Sequence, residues 1–179
     1  AQNLTSLNIS SLSGITSLEC NSCSLSTLNV TGCSNLEKLY CSYNLISSLP
    51  LTVCNSLADL KCVSNQLTSI DISYCPLVNF ECGDNSIAGT LDLTGKSLLQ
   101  TLKCNNNQIE QFVLAGCDSL TYLDCSTNNT TLTSLDLSDC PAIYDVYCQT
   151  NNLMTSVNLS NCSQLHQFYA ADSGITSID

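Results

Sequence analysis

The chain has 179 residues, with 15 Asp and Glu residues against four Lys and no Arg, and its formal net charge at pH 7 is −11. This charge argues against a nucleic-acid partner, because phosphate binding requires clustered cations. Apolar residues make up 44% of the chain, too many for a disordered protein, and no window approaches about 18 uninterrupted apolar residues, which argues against a membrane span.

The chain opens with Ala1-Gln2, without an initiator Met or a basic segment followed by an apolar one. We therefore expect a processed product or a fragment of a longer protein. The length is typical of one domain, and we predict a single domain over residues 1–179. A degenerate repeat comes first, with apolar residues at Leu4, Leu7, Ile9, Leu12 and Ile15.

A regular repeat of about 21 residues, which we call a coil, follows. Cysteines recur at intervals of 20 to 23 residues, at Cys20, Cys41, Cys62, Cys82, Cys104, Cys125 and Cys148. Two residues before each of them is an apolar residue: Leu18, Leu39, Leu60, Phe80, Leu102, Leu123 and Val146. Three residues after each is a further column: Cys23, Asn44, Asn65, Asn85, Asn107, Asn128 and Asn151. Seven coils match L-x-x-L-x-C-x-x-N-x-L, and a partial coil from Phe168 to Ile178 ends the chain.

Each column has a physical reason. The Leu-x-Cys alternation places both side chains inward and the middle residue outward, as in a short strand, and stacked coils align such strands into a parallel sheet. The Asn column lies where the chain turns out of the strand. A buried Asn there can satisfy backbone groups of its own turn and of the neighbouring coil.

The second half of each coil alternates as well, as in Leu28-Asn-Val30-Thr-Gly-Cys33, which predicts further extended segments rather than helices. It adds a second cysteine column: Cys33, Cys54, Cys75, Cys117, Cys140 and Cys162. Lys96 replaces the cysteine in one coil, where we predict a bulged loop. Extra residues near Gly89, Thr130 and Met154 account for the longer intervals, and we expect them to enlarge the convex side.

These residues resemble the leucine-rich repeat family, with Cys in the place of the third Leu. The short repeats and the cysteine ladder are similar to those of bacterial internalins of the internalin J type. The resemblance implies a leucine-rich-repeat solenoid of the right-handed β/α superhelix class, with about eight coils of stacked short parallel strands and few or no helices. It also implies an extracellular or cell-surface location and a role in protein–protein interaction or adhesion.

Every one of the fourteen cysteines occupies an inward repeat position, which predicts a buried and mostly reduced ladder. A disulfide scaffold is the alternative, because strand spacing brings neighbouring ladder positions within bonding range, although side chains that point the same way fit the disulfide torsion badly. Cys20-Asn-Ser-Cys23 resembles half of a zinc site, but the sequence has no second such pair. We interpret it as a coincidence of two columns and predict neither a metal site nor a cofactor.

The sequence contains no catalytic motif. His166 is the only histidine, and we prefer an ordinary surface residue to a general base. Asp71 and Asp92 belong to an acidic column on the expected convex side, which can share Ca²⁺ but more simply keeps the protein soluble. We therefore predict a protein that is not an enzyme.

The outward positions of the predicted sheet form the candidate binding site. The outward residues that we select for the concave face are Tyr40, Lys61, Lys103, Tyr122, Tyr147 and Tyr169. A tyrosine side chain loses little conformational entropy when it is buried in an interface, so it is a favourable contact residue for a protein partner or a glycan. The alternative is an ordinary solvated sheet, because Tyr and Lys also fit a strand well.

Neither end carries a clear capping module, although a solenoid without caps exposes apolar core and strand edges. Two explanations stay open: the chain is cut from a longer surface protein, or subunits stack end to end into a filament. The leading function is therefore extracellular protein recognition through the concave sheet, with a structural filament subunit as the alternative.

Overall fold

In this computed structural model, residues 4–128 and 131–179 are described, and they form fifteen β-strands and no helix. None of them forms a helix that is long and apolar enough to cross a bilayer. By their internal contacts the residues divide into two compact units, Ala1–Ile87 and Ala88–Asp179. The single domain over residues 1–179 stays a prediction.

The first unit contains six short strands: β1 (Ser6–Asn8), β2 (Ser17–Glu19), β3 (Thr27–Asn29), β4 (Lys38–Tyr40), β5 (Asp59–Lys61) and β6 (Asn79–Glu81). Strands β2, β4, β5 and β6 pair in parallel and in register, and we call them the front sheet of this unit. Strands β1 and β3 pair separately and form its back sheet.

The second unit contains nine strands: β7 (Ala88–Asp92), β8 (Thr101–Lys103), β9 (Gln108–Val113), β10 (Tyr122–Asp124), β11 (Ser134–Asp136), β12 (Asp145–Tyr147), β13 (Ser156–Asn158), β14 (Gln167–Tyr169) and β15 (Ser177–Ile178). Its front sheet is β8-β10-β12-β14. Its back strands pair as β7-β9 and as β11-β13-β15. The prediction of a β-dominated leucine-rich-repeat solenoid is confirmed.

The inward columns form the core of both units. The middle residue of the front strands is fully buried in β4 (Leu39), β5 (Leu60), β6 (Phe80), β8 (Leu102) and β10 (Leu123). The ladder cysteines that follow these strands are fully buried as well. Parallel in-register pairing stacks like side chains in neighbouring coils, so one residue choice per column fills the core.

The asparagine column joins successive coils through side-chain hydrogen bonds. In Asn44, Nδ2 donates to the carbonyl oxygen of Cys20 in the preceding coil and to that of Cys41 in its own coil, both at 2.9 Å. Its Oδ1 accepts from the N–H groups of Cys23 at 3.0 Å and Leu25 at 2.9 Å. The predicted role of this column is confirmed, and the side-chain amide also bonds both its own and the preceding coil at Asn65, Asn85, Asn128 and Asn151.

The residue before this column is in the left-handed region in every coil, with φ between 52° and 58° at Ser22, Tyr43, Ser64, Asp84, Asn106, Thr127, Thr150 and Asp172. This conformation is unfavourable for residues with a Cβ, and it persists only where the surrounding bonds impose it. Backbone hydrogen bonds between coils contribute to that constraint, since the Ser22 N–H donates to Ser42 O at 2.9 Å and the Tyr43 N–H donates to Val63 O at 2.8 Å. A following asparagine is not required, because Ser22 precedes Cys23 and Asp172 precedes Ser173. Small or polar residues occupy seven of the eight positions, and Tyr43 is the exception.

The second half of the coil is extended, but only part of it pairs. Strands form around Leu28 and Leu135, whereas none is present at Leu49–Leu51 or Ile70–Ile72. Pro50 explains the interruption at Leu49–Leu51. At the equivalent position of the last coil, Asp179 donates its N–H to Val157 O at 3.0 Å, and a proline has no N–H to donate.

The bulged loop predicted at Lys96 is wrong. Its N–H donates to Leu93 O at 3.0 Å, the same bond that Cys117 makes to Leu114 at 3.0 Å, so the backbone turn does not require the cysteine. The register irregularity of this region lies between Gly89 and Thr90 instead, in the β7–β9 pair, near one of the predicted extra residues.

The other two predicted extra residues have different outcomes. Met154 is fully buried, and its N–H donates to Asn151 O at 2.9 Å, so it contributes to the core rather than to the outer surface. Thr130 lies outside the described residues.

All fourteen cysteines lie in the described part of the chain as thiols outside any disulfide, and thirteen of them are buried. In the second column, the Cys33 thiol donates to Ile9 O in the preceding coil at 3.4 Å, and the Cys162 thiol donates to Leu137 O at 3.3 Å. Burial raises the pKa of Cys140 and Cys148 to about 12. The thiols are therefore neutral packing groups and weak donors at physiological pH.

Replacing Asn44 by Ala removes its hydrogen bonds to two backbone N–H groups and three carbonyl groups. We expect the free energy of unfolding to fall by about 3 kcal/mol, because buried polar groups lose their hydrogen bonds. The exposed Asn55 is the matched control, and Asn55→Ala should cost less than about 0.5 kcal/mol. Urea denaturation measures both variants, and equal losses would contradict the proposed role of the column.

The buried thiols make the fold sensitive to alkali. Burial raises the pKa of Cys41, Cys62, Cys82 and Cys125 well above the value of 9.0 that applies to the unfolded chain. Above pH 9 the unfolded state therefore releases protons that the folded state keeps, and the free energy of unfolding falls as the pH rises. These four thiols contribute a slope of roughly 5 kcal/mol per pH unit once the unfolded thiols are ionised.

Urea denaturation between pH 7 and pH 10.5 tests this slope. Stability should be nearly constant below pH 8 and fall steeply above pH 9, and Cys82→Ala should reduce the slope by about 1.4 kcal/mol per pH unit. A flat profile to pH 10.5 would show that the thiols are not buried.

Candidate binding face

The six predicted site residues all lie on the front sheets, where strand alternation turns them outward from the core. Tyr40 and Lys61 are half-buried on strands β4 and β5 of the first unit. Lys103, Tyr122, Tyr147 and Tyr169 lie on strands β8, β10, β12 and β14 of the second unit, and Tyr169 is the most exposed of the four. Their outward placement agrees with the prediction, whereas their role in binding stays a prediction.

In the first unit, polar pairs fix the outward side chains. The Tyr40 hydroxyl donates to Asp59 Oδ2 at 2.6 Å, and Lys61 Nζ lies 3.1 Å from Glu81 Oε1. Lys61 Nζ is also 5.3 Å from the centroid of the Tyr40 ring, a cation–π distance. The hydrogen bond to Asp59 is the main cause that raises the pKa of Tyr40 to about 12, and partial burial and nearby carboxylates add to it.

In the second unit, three tyrosines form a continuous aromatic row. The rings of Tyr147 and Tyr169 stack with their centroids 4.8 Å apart and their planes 14° from parallel. The ring of Tyr122 is 5.3 Å from that of Tyr147, and Lys103 Nζ is 5.7 Å from the Tyr122 centroid. Because register pairing places Tyr147 beside Tyr169, the strand spacing itself produces the stack. We call these three residues the tyrosine row.

Two acceptor atoms near this row have no hydrogen-bond partner. Asp145 Oδ1 and Gln149 Oε1 are buried and unpaired in the described part of the chain. His166 Nδ1 lies 4.0 Å from Asp145 Oδ1. A buried acceptor without a donor is costly, so these atoms favour a ligand that supplies donors.

His166 lies on the surface, as predicted. Its side chain is 58% exposed, and its ring stacks on Tyr144 with the centroids 4.8 Å apart. The strand alternation did not predict this second aromatic pair, because Tyr144 and His166 lie just before strands β12 and β14 rather than on them.

The side chains of Asp71 and Asp92 accept hydrogen bonds within their own turns. Asp71 Oδ1 accepts from the N–H and the hydroxyl of Ser73, at 3.0 and 2.7 Å. Asp92 Oδ1 accepts from Thr94 in the same way, at 2.9 and 2.6 Å. The bond from the Thr94 hydroxyl, followed by that from its N–H, lowers the pKa of Asp92. This column therefore closes turns, which explains its recurrence without a cation.

Cys20 and Cys23 occupy two different columns, as predicted. Cys20 is buried in the ladder, and burial together with the nearby Cys23 raises its pKa to about 11. Cys23 is half-buried, and its thiol donates to Asn21 O at 3.2 Å. Over residues 4–128 and 131–179, no group of three or more His, Cys, Asp or Glu side chains is placed to hold a metal ion.

Comparison with known proteins identifies the type of solenoid. No protein-family model matches the chain, and no curated protein is significantly similar to it. Among solved structures, the functional domain of InlJ from Listeria monocytogenes, which includes a cysteine ladder, superimposes with a TM-score of 0.64 and 26% sequence identity. The chain is a leucine-rich-repeat solenoid similar to the cysteine-ladder internalin InlJ. The resemblance that the repeat predicted is therefore confirmed.

The match to InlJ covers 99% of this chain and 48% of the InlJ chain. The chain thus spans about half the length of the solved structure that it matches. Both proteins contain a ladder of cysteines.

Proposed function

We propose that the chain is a module that is not an enzyme and that recognises a protein partner at the cell surface or outside the cell. It binds through the outward side of its front sheets. The stacked tyrosine row is the observation that carries this proposal. The similarity to InlJ supports the assignment to surface recognition, since a cysteine-ladder solenoid is the functional domain of that protein.

The tyrosine row has the properties of an interface anchor. The Tyr147 ring is stacked on Tyr169 and tilted by 32° against Tyr122, and these contacts restrain it, so binding costs little additional side-chain entropy. Each tyrosine also combines an apolar ring with a polar hydroxyl, and the Tyr147 hydroxyl already donates to Gln167 Oε1 at 3.2 Å. Such aromatic groups are enriched among the residues that contribute most to protein binding.

The unpaired acceptors indicate what the partner supplies. Asp145 and Gln149 require donors, and the second unit carries nine carboxylates against two lysines. We infer a partner segment with hydrogen-bond donors or positive charge, because opposite potentials guide association and specificity. A homopolymeric filament subunit, the alternative function, stays a prediction. Light scattering at rising concentration distinguishes it, since a monomer stays near 19.2 kDa.

Selection from a displayed library of random peptides tests recognition by the tyrosine row. Peptides selected on the wild-type chain should bind the Tyr147→Ala/Tyr169→Ala double variant at least tenfold more weakly, a loss of about 1.4 kcal/mol or more. Tyr74→Ala is the matched control, because Tyr74 is 62% exposed and lies outside the front sheets.

Binding affinities from biolayer interferometry give the result. Peptides that bind the double variant as tightly as the wild type, or that lose affinity only with Tyr74→Ala, would contradict the proposal. Circular dichroism and a thermal unfolding curve for each variant establish that the compared chains are folded.

A further inference from the structure

Tyr43 is the one bulky aromatic residue among the left-handed positions. Its φ is 58°, whereas the equivalent position elsewhere holds a serine, threonine, aspartate or asparagine. A large side chain in this region is a genuine outlier. Its side chain is also 62% exposed, so packing in the core does not explain why tyrosine stands there.

The surrounding bonds impose this conformation on Tyr43. Its N–H donates to Val63 O in the next coil at 2.8 Å, and the following residue, Asn44, is locked by its buried side-chain bonds. The strain is therefore borne by the repeat, and the direction of the Cα–Cβ bond of Tyr43 is fixed.

The Tyr43 ring lines an open groove on the first unit. Tyr40 provides a second ring, and Asn21, Ser42, Lys61 and Glu81 provide polar groups. Asn21 Oδ1 accepts from the Ser42 N–H at 2.8 Å, and the Ser42 hydroxyl oxygen accepts from Val63 N–H at 3.2 Å. These bonds hold the polar side chains in place. The Ser42 hydroxyl acts as an acceptor, so its own proton takes part in neither of the two bonds.

The charges of the groove disfavour an anionic ligand. Its one ammonium group and its one carboxylate neutralise each other, since Lys61 Nζ is 3.1 Å from Glu81 Oε1. Beyond the lining, Glu19 accepts from Asn21 Nδ2 at 3.1 Å and Asp59 accepts from the Tyr40 hydroxyl. These carboxylates disfavour an anion, and the paired ammonium offers no free charge to one.

We propose that this groove binds a neutral saccharide. A pyranose ring has an apolar face that fits an aromatic side chain and hydroxyls around its edge that both donate and accept hydrogen bonds. Tyr43 provides the aromatic surface, and Asn21, Ser42 and Glu81 provide partners for the hydroxyls. The site lies in the first unit, so it is independent of the tyrosine row in the second.

Saccharide binding to this groove is tested without a peptide or protein partner. A negative result would leave the proposed recognition by Tyr147 and Tyr169 standing, and a negative peptide selection would leave the saccharide proposal standing.

Saturation-transfer NMR with the wild-type chain tests the site. The probes are the methyl glycosides of glucose, galactose, mannose and N-acetylglucosamine, with the anionic N-acetylneuraminic acid as the charged probe. At least one neutral sugar should bind saturably with a Kd on the order of 1 mM, and the anionic sugar should bind at least tenfold more weakly.

The decisive variant is Tyr43→Asn, because asparagine tolerates the left-handed conformation and keeps the turn. It should bind the sugar at least tenfold more weakly, with a melting temperature equal to or above that of the wild type. Thr150→Asn makes a like change at the same turn position of the second unit and should bind as the wild type does. The proposal is overturned if no neutral sugar binds, if the anionic sugar binds as tightly, or if Tyr43→Asn retains full affinity.

Discussion

The hydrogen bonds of one buried asparagine side chain in each coil are the constraint on which the rest of the structure depends. A coil of about 21 residues has little core of its own, and it becomes stable only against its neighbours. Asn44 and Asn65 show how this is achieved, because each amide donates to its own turn and to the preceding coil. Backbone hydrogen bonds between coils also hold the residue before this column in the left-handed region, as at Tyr43.

Fixed stacking has a consequence for function. When the core columns are repeated, the outward positions of the front sheets are free to vary without changing the fold. Register pairing then converts sequence spacing into geometry, so that residues one coil apart become neighbours, as Tyr147 and Tyr169 do. Rows of side chains on a rigid sheet can evolve as binding surfaces at little cost to stability.

The fold was predictable from the sequence because its columns are periodic, and the two cysteine columns and the role of Asn44 follow from spacing alone. The bulge predicted at Lys96 was wrong because this turn depends on a backbone hydrogen bond to Leu93, which does not require a cysteine side chain. Tyr43 is recognisable in the sequence as an exception, because it interrupts a column of small or polar residues. The unpaired oxygens of Asp145 and Gln149 depend on side-chain directions that no sequence pattern specifies.

Thiol titration without any reductant tests the central claim of inward, in-register columns most directly. In denaturant the chain should yield close to fourteen reactive thiols, whereas the native chain should react quickly only at the half-buried Cys23. Few thiols in denaturant would mean a disulfide scaffold, and many fast-reacting thiols in the native chain would mean that the cysteines face solvent. The first result would contradict the reduced ladder, and the second would contradict the stacked, inward arrangement of the columns.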